Sequence, residues 1–277
     1  MKLVSLAMAL VFCLASVTAG QSGGGFGRRS FGSRRYPAKY ARPDSFGRGF
    51  NFCRAAYTSD RREPGGQGWS TDYPAAELNF STRLSELTKT RVSKDSRSRP
   101  EHLVVRLTDD ALYQCPYLHM EDVGTASLTD AEVLGLRAFL LKGGFLWVDD
   151  YWGSYAWHSW LSQLSRVLPP SEYPVQDVPF DHPIFRTMFE VKEIPQVPSI
   201  QFWRRSGGQT SERGSDSATP TIHGVADRHG NLMVVMTHNT DISDAWEREG
   251  EDTRFFYRFS PDGYAVGINV ILYALTH

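Results

Sequence analysis

The strongest constraint on the fold is a recurring unit, a short apolar run that ends on acidic residues and is flanked by helical patterns. Phe145-Leu-Trp-Val148 shows it most plainly. Before it, Thr129 and Glu132 form a capping box, Val133, Leu136 and Leu140 recur at helical spacing, and Gly143 closes the last turn. Asp149 and Asp150 follow the run directly. Trp157, Trp160, Leu161, Leu164 and Leu168 then mark a second helix, stopped by Pro169-Pro170, whose tryptophans read as core.

The unit recurs along the chain. His102 to Leu107 has a Leu-Val-Val centre without alternation, as expected of a strand covered on both faces, and Asp109 and Asp110 come next. Phe50 to Tyr57 reads as the first strand, and Leu232 to Met236 as a late one running out into Thr237-His238-Asn239-Thr240-Asp241. Pro74 suits the first turn of a helix that carries Leu84 and Leu87, and a last helix is expected from Asp262 to Leu275. Arg204 to Thr219 has the composition of a surface insertion. Strands alternating with helices argue an α/β domain over residues 50–277, with a parallel sheet wrapped on both sides. Its 41% hydrophobic content is enough for a sizeable core and excludes a chain disordered throughout.

Ahead of that domain the sequence changes character twice. Lys2 precedes an apolar stretch from Leu3 to Val17, and Val17-Thr18-Ala19 places small residues at the −3 and −1 positions of a secretory cleavage site. The stretch is short of the ~20 residues a spanning helix needs. Residues 1–19 are therefore expected to be a signal peptide and the mature protein to be exported, periplasmic or secreted, with no stable membrane insertion. Phe12 before Cys13 is too large for lipidation.

Residues 20–49 contain eight Gly, four Ser and six Arg, a composition expected to be disordered. This arm carries a net charge of +6 and leaves residues 50–277 at about −8. A flexible spacer is the expected role. Export and a whole-chain charge of −1 make nucleic acid an unexpected partner. Cys53 and Cys115 remain after signal removal and either pair or stay as two buried thiols, the second being the expectation. Without CxxC, HExxH or a His-rich cluster, no structural zinc site is expected.

Seven segments in order carry a family resemblance. They are Trp69-Ser-Thr-Asp72-Tyr73-Pro74, Leu107-Thr-Asp109, Pro116-Tyr117, Leu140-Leu-Lys-Gly143-Gly144-Phe145 with Asp149-Asp150, Asp181-His182-Pro183-Ile184-Phe185, Asn239-Thr-Asp241 with Trp246-Glu247, and Gly267-Ile-Asn269-Val-Ile-Leu-Tyr273-Ala274. Together they resemble the bacterial domain of unknown function 4159 across residues 50–277. The resemblance implies a flavodoxin-like three-layer α/β/α fold similar to class I glutamine amidotransferases. It brings no activity with it.

Amidotransferase chemistry needs a cysteine on a sharp turn after a central strand, beside backbone donors for the oxyanion. Here the strand ends in Asp149-Asp150-Tyr151, and neither Gly-x-Cys-x-Gly nor Gly-x-Ser-x-Gly occurs. Glutaminase activity is not expected, and no catalytic residue or cofactor is assigned. What remains is position, because ligands collect outside the carboxyl ends of parallel strands. Trp69, Asp72, Asp109, Asp149, Asp150 and Asp241 form the expected ligand-binding set, with Asp110 and Asp150 equally suited to capping and Asp244 close behind Asp241.

Converging carboxylates suit a saccharide stacked on Trp69, Tyr151 or Trp152, or a hard cation such as calcium or magnesium. His182 reads as a turn residue outside catalysis and Asn269 as a buried amide pinning the last helix. Two functions follow from different classes. One is an exported module binding a small molecule, saccharide or protein; the other is an Asp-dependent hydrolase of a cell-envelope or carbohydrate substrate, with Asp149 or Asp150 as base or metal ligand.

Overall fold

A computed structural model describes residues 37–63 and 66–277. The expected signal peptide and the first part of the expected arm lie outside the described residues. Seven strands form one sheet in the order β2-β1-β3-β4-β7-β6-β5. They are β1 (Phe52–Ala56), β2 (His102–Arg106), β3 (Tyr117–Glu121), β4 (Phe145–Asp149), β5 (Gln176–Asp177), β6 (Thr221–Ala226) and β7 (Leu232–His238). The five from β2 to β7 run parallel, while β6 is antiparallel to β7 and β5 antiparallel to β6. The sheet is therefore mixed, with its antiparallel pair at one edge. Because β2 and β3 lie on opposite sides of β1, the strand order reverses at β1, and the carboxyl ends beside it are where ligands collect in sheets of this kind.

Successive side chains on a strand point to opposite faces, which sorts the core into two layers. Cys53, Leu118, Met120, Leu146 and Val148 pack under α2 (Asp130–Leu141) and α3 (Gly153–Val167). Phe52, Tyr117 and Trp147 pack under α1 (Ala75–Leu87), α5 (Asp244–Glu247) and α6 (Thr253–Thr276). The short α4 (Ile200–Arg205) adds Ile200 to this second layer. The Thr129 and Glu132 capping box opens α2 as expected. Asn269 accepts the amides of Met188 and Phe189 and donates to the Phe189 carbonyl, which ties α6 to the irregular segment before α4.

Four expectations are corrected. Cys53 and Cys115 are joined in a disulfide, because β1 and the turn entering β3 bring their Cα atoms to 6.2 Å. Order also begins upstream of Phe50: the Ala41 amide donates to Val104 and the Val104 amide to Lys39, so this part of the expected arm pairs with the edge of β2. The last helix starts at Thr253, capped by Asp252, and runs through Pro261. Pro261 and Tyr257 are both exposed, so water can satisfy the carbonyl that Pro261 leaves without a donor. Finally, β3, β5 and β6 had no counterpart among the expected strands.

Candidate functional site

The carboxyl ends of β3, β4 and β7 finish on polar residues in sharp turns. Glu121 and Asp122 end β3, Asp149 and Asp150 end β4, and Asn239 to Asp241 follow β7. Asp122, Asp150 and Asn239 all have positive φ, as does Asp72 just before α1. Asp and Asn tolerate this region better than other side chains, and strain of this kind concentrates at functional sites. The turns are locked together: the Asp122 amide donates to the Asp150 carbonyl, the Asn239 amide to Tyr151, and the Gly153 amide to Asn239 Oδ1.

Four of the six expected ligand residues meet here. Burial pushes Asp241 well above the usual carboxylate range, and the charges of Asp150, Asp72, Asp244 and Asp149 push it further. Asp150 is raised in the same way, by burial and then by Asp122 and Glu121, and Asp72 by burial and then by Glu247 and Asp244. Asp149 is fully buried, accepting from Thr237 Oγ1 at 2.5 Å and the Ser243 amide at 3.1 Å.

The other two expected residues stand apart. Asp109 lies beyond β2 at the far side of β1, where it accepts the Arg106 amide and sits 3.6 Å from its guanidinium. The half-buried Trp69 ring packs against Tyr40 and Tyr73, with ring centroids 6.3 and 6.1 Å away. Tyr151 is buried among Trp157 and His238, and Trp152 donates its indole N–H to Asp150. His182 accepts the Ile184 amide at the start of a short 3-10 turn, a structural role.

Beneath the rim runs a buried polar network. Arg54 on β1 donates to Glu77 Oε1 at 2.6 Å and to the Thr71 carbonyl at 3.1 Å, and it pairs with Glu121. His119 Nε2 lies 2.9 Å from Glu121 and 3.1 Å from Ser243 Oγ, while its Nδ1 meets the Tyr117 hydroxyl at 2.8 Å. Burial alone would raise Glu121, but Arg54 and His119 outweigh it and hold the group at about 2. Glu77 receives less compensation, and burial pushes it up to about 7.

Asp72, Asp244 and Glu247 place one oxygen each within 4.8 Å of one another. Burial, then Asp244, pushes Glu247 up to about 8, although Arg248 Nε lies 2.6 Å from its carboxylate. Oxygen donors of this kind suit a hard cation such as calcium or magnesium. Of the described carboxyls, Glu77, Glu121, Asp122, Asp149, Asp150, Asp241 and Asp244 are buried in or around this region, against Arg54 as the one buried guanidinium. The half-buried Arg248 also pairs with Asp244 at 3.3 Å, and protons or a bound cation make up the remainder.

Sequence reasoning missed Glu121, Asp122, Arg54 and His119. A signal existed for the first two, since Glu121-Asp122 follows Tyr117-Leu-His-Met120 as Asp149-Asp150 follows Phe145 to Val148. His119 hid it by breaking the apolar run.

These features define a mixed α/β domain whose strand ends converge on an acidic rim, with its two described cysteines bonded to each other. Over residues 52–275 the sequence matches the family model described as a domain of unknown function, DUF4159, and the chain belongs to that family. No curated protein matches it.

Proposed function

We propose that the chain is an exported binding module that takes a hard divalent cation, alone or with a hydroxyl-bearing ligand, at its acidic rim. The convergence of Asp72, Asp150, Asp241, Asp244 and Glu247 carries this reading, because so many neighbouring carboxyls are costly unless a cation or donors satisfy them. The strand order β2-β1-β3-β4 supports a flavodoxin-like, amidotransferase-like fold with its switch point beside the acidic rim and without the nucleophile. Export is supported by the signal-peptide pattern of residues 1–19 and by the disulfide, which suits an oxidising compartment. No helix among the described residues is long and apolar enough to cross a membrane.

The Asp-dependent hydrolase is the second reading. One observation favours it: burial pushes Asp149 up to about 7, where a general base works best. Its complete burial and two hydrogen bonds favour a binding role instead. Thermal-shift and calorimetric titrations of the mature chain with calcium, magnesium and simple saccharides separate the readings. A saturable rise in melting temperature with a divalent cation is expected, and indifference to both cations would overturn the cation reading.

A further inference from the structure

Asp122, Asp150, Asp241 and Asp244 are buried at the rim while Asp72 and Glu247 are half-buried, so a ligand can reach the buried group only if a covering segment moves. We propose that residues 206–219 are a hinged lid over the acidic rim. This rests on the rim being the binding site.

Four observations place the lid there. Asp216 Oδ2 accepts both the amide and the hydroxyl of Ser154, in the first turn of α3 beside Asp150. A Cβ built on Gly153 would lie 2.5 Å from Asp216 Oδ2 and 3.6 Å from Arg213 Cγ, so both lid residues lie against the turn that leaves β4. From there the Arg213 guanidinium reaches Glu63, 3.7 Å away in the loop after β1, and closes the gap between the two loops. Asn239 Nδ2 donates to the Thr219 carbonyl and anchors the far end of the segment at the rim.

The lid is also easy to lift. Its largest apolar side chain is Ala218, which is exposed, and only Ser217 of the whole segment is buried. Gly207 and Gly208, both at positive φ, supply a hinge directly after α4. Opening exchanges polar contacts for water, among them the Ser199 amide on Glu212 and Gln196 with the Thr210 hydroxyl and the Ser217 carbonyl. It removes no apolar side chain of the segment larger than Ala218 from its packing, as a local motion requires.

Amide hydrogen exchange on the mature chain without added ligand reads this motion. The Ser154 amide, held by Asp216, and the Arg213 amide, held by Ser217 Oγ, should exchange at least about tenfold faster than the amides of Val148 and Val235 in the sheet. Asp216→Ala should speed exchange at Arg213 by about another tenfold and leave β4 and β7 unchanged. Uniform protection in both proteins, lost only on global unfolding, would overturn the lid.

Titration with magnesium or calcium then tests the gate. Asp216→Ala should bind the ion more tightly, because the closed state no longer competes. Faster exchange with unchanged affinity overturns the gating role. Faster exchange when neither ion binds either protein supports the lid as a moving element and overturns the cation reading of the rim.

Discussion

Glu121 and Asp149 are register partners at the ends of the adjacent parallel strands β3 and β4, and the fold shifts their ionisation in opposite directions. Burial works against ionisation of both. For Glu121 the paired Arg54 guanidinium and the bonded His119 ring overcome it, and the carboxylate stays charged. For Asp149 only Thr237 and backbone amides oppose burial, while Glu121 adds its own negative charge, so the group is pushed up to about 7. The network under the rim thus fixes one charge and leaves its neighbour poised to respond to whatever arrives above it.

The first prediction concerns pH. Asp149 and Asp122 are raised to about 7 and Glu247 to about 8, so between the ordinary carboxylate range and these values the folded state holds protons that the unfolded chain has lost. His102 and His238, lowered to about 4, contribute stability that grows as pH rises to about 7. The loss from the carboxyls therefore shows above that point: stability of the cation-free protein should fall as pH rises from 7 to 9, by on the order of 2 kcal/mol. Glu121 works the other way: its lowered value gives stability that is present above the ordinary carboxylate range and lost as pH falls toward 2. Urea denaturation at pH 7 and pH 9 after chelation checks this. Greater stability at pH 9 would contradict a proton-neutralised rim.

The second prediction uses Asp149→Asn. An asparagine there can accept the Ser243 amide through its oxygen and donate its N–H to Thr237 Oγ1, whose own hydroxyl can still bond the Val148 carbonyl. The change keeps the hydrogen bonds and removes the proton equilibrium. Stability should be nearly unchanged at pH 5 and higher than the native chain by about 1 kcal/mol at pH 8. Asp149→Ala leaves the Ser243 amide without an acceptor and should cost about 2 kcal/mol at both pH values. If the asparagine variant is as damaged as the alanine variant, the role of Asp149 is that of a charged acceptor alone.

How far these positions could be read in the sequence depended on where their partners lie. Phe145 to Val148 announces β4 because the run is unbroken, and Asp149-Asp150 after it is visible at a glance. Tyr117–Glu121 is equally buried, yet His119 and Glu121 give it the look of a polar segment. The partners that make them burial-compatible are Arg54, 67 residues before Glu121, and Ser243, 124 residues after His119. Asp109 misled for the converse reason. It follows a strand just as Asp150 does, but β2 is an outer strand of the parallel set while β4 is central, and strand order is not written in any local pattern.

The last prediction concerns the disulfide. Cys53 sits inside β1, and Cys115 is at the turn entering β3, the neighbouring strand that lies across the switch point from β2. The bond closes a loop spanning a sequence separation of 62, which includes α1, β2 and Asp72. Removing a constraint of that length is worth about 4 kcal/mol in the chain-entropy account, and both sulfurs are buried, so reductant should reach them only on opening. The protein should therefore resist alkylation even in denaturant until reduced. Reduction, or Cys115→Ala, should lower the denaturation midpoint and weaken any cation response, because Asp72 lies within the released loop. Two freely alkylated thiols in protein recovered from the exported fraction would contradict the bond and remove one support for the export reading.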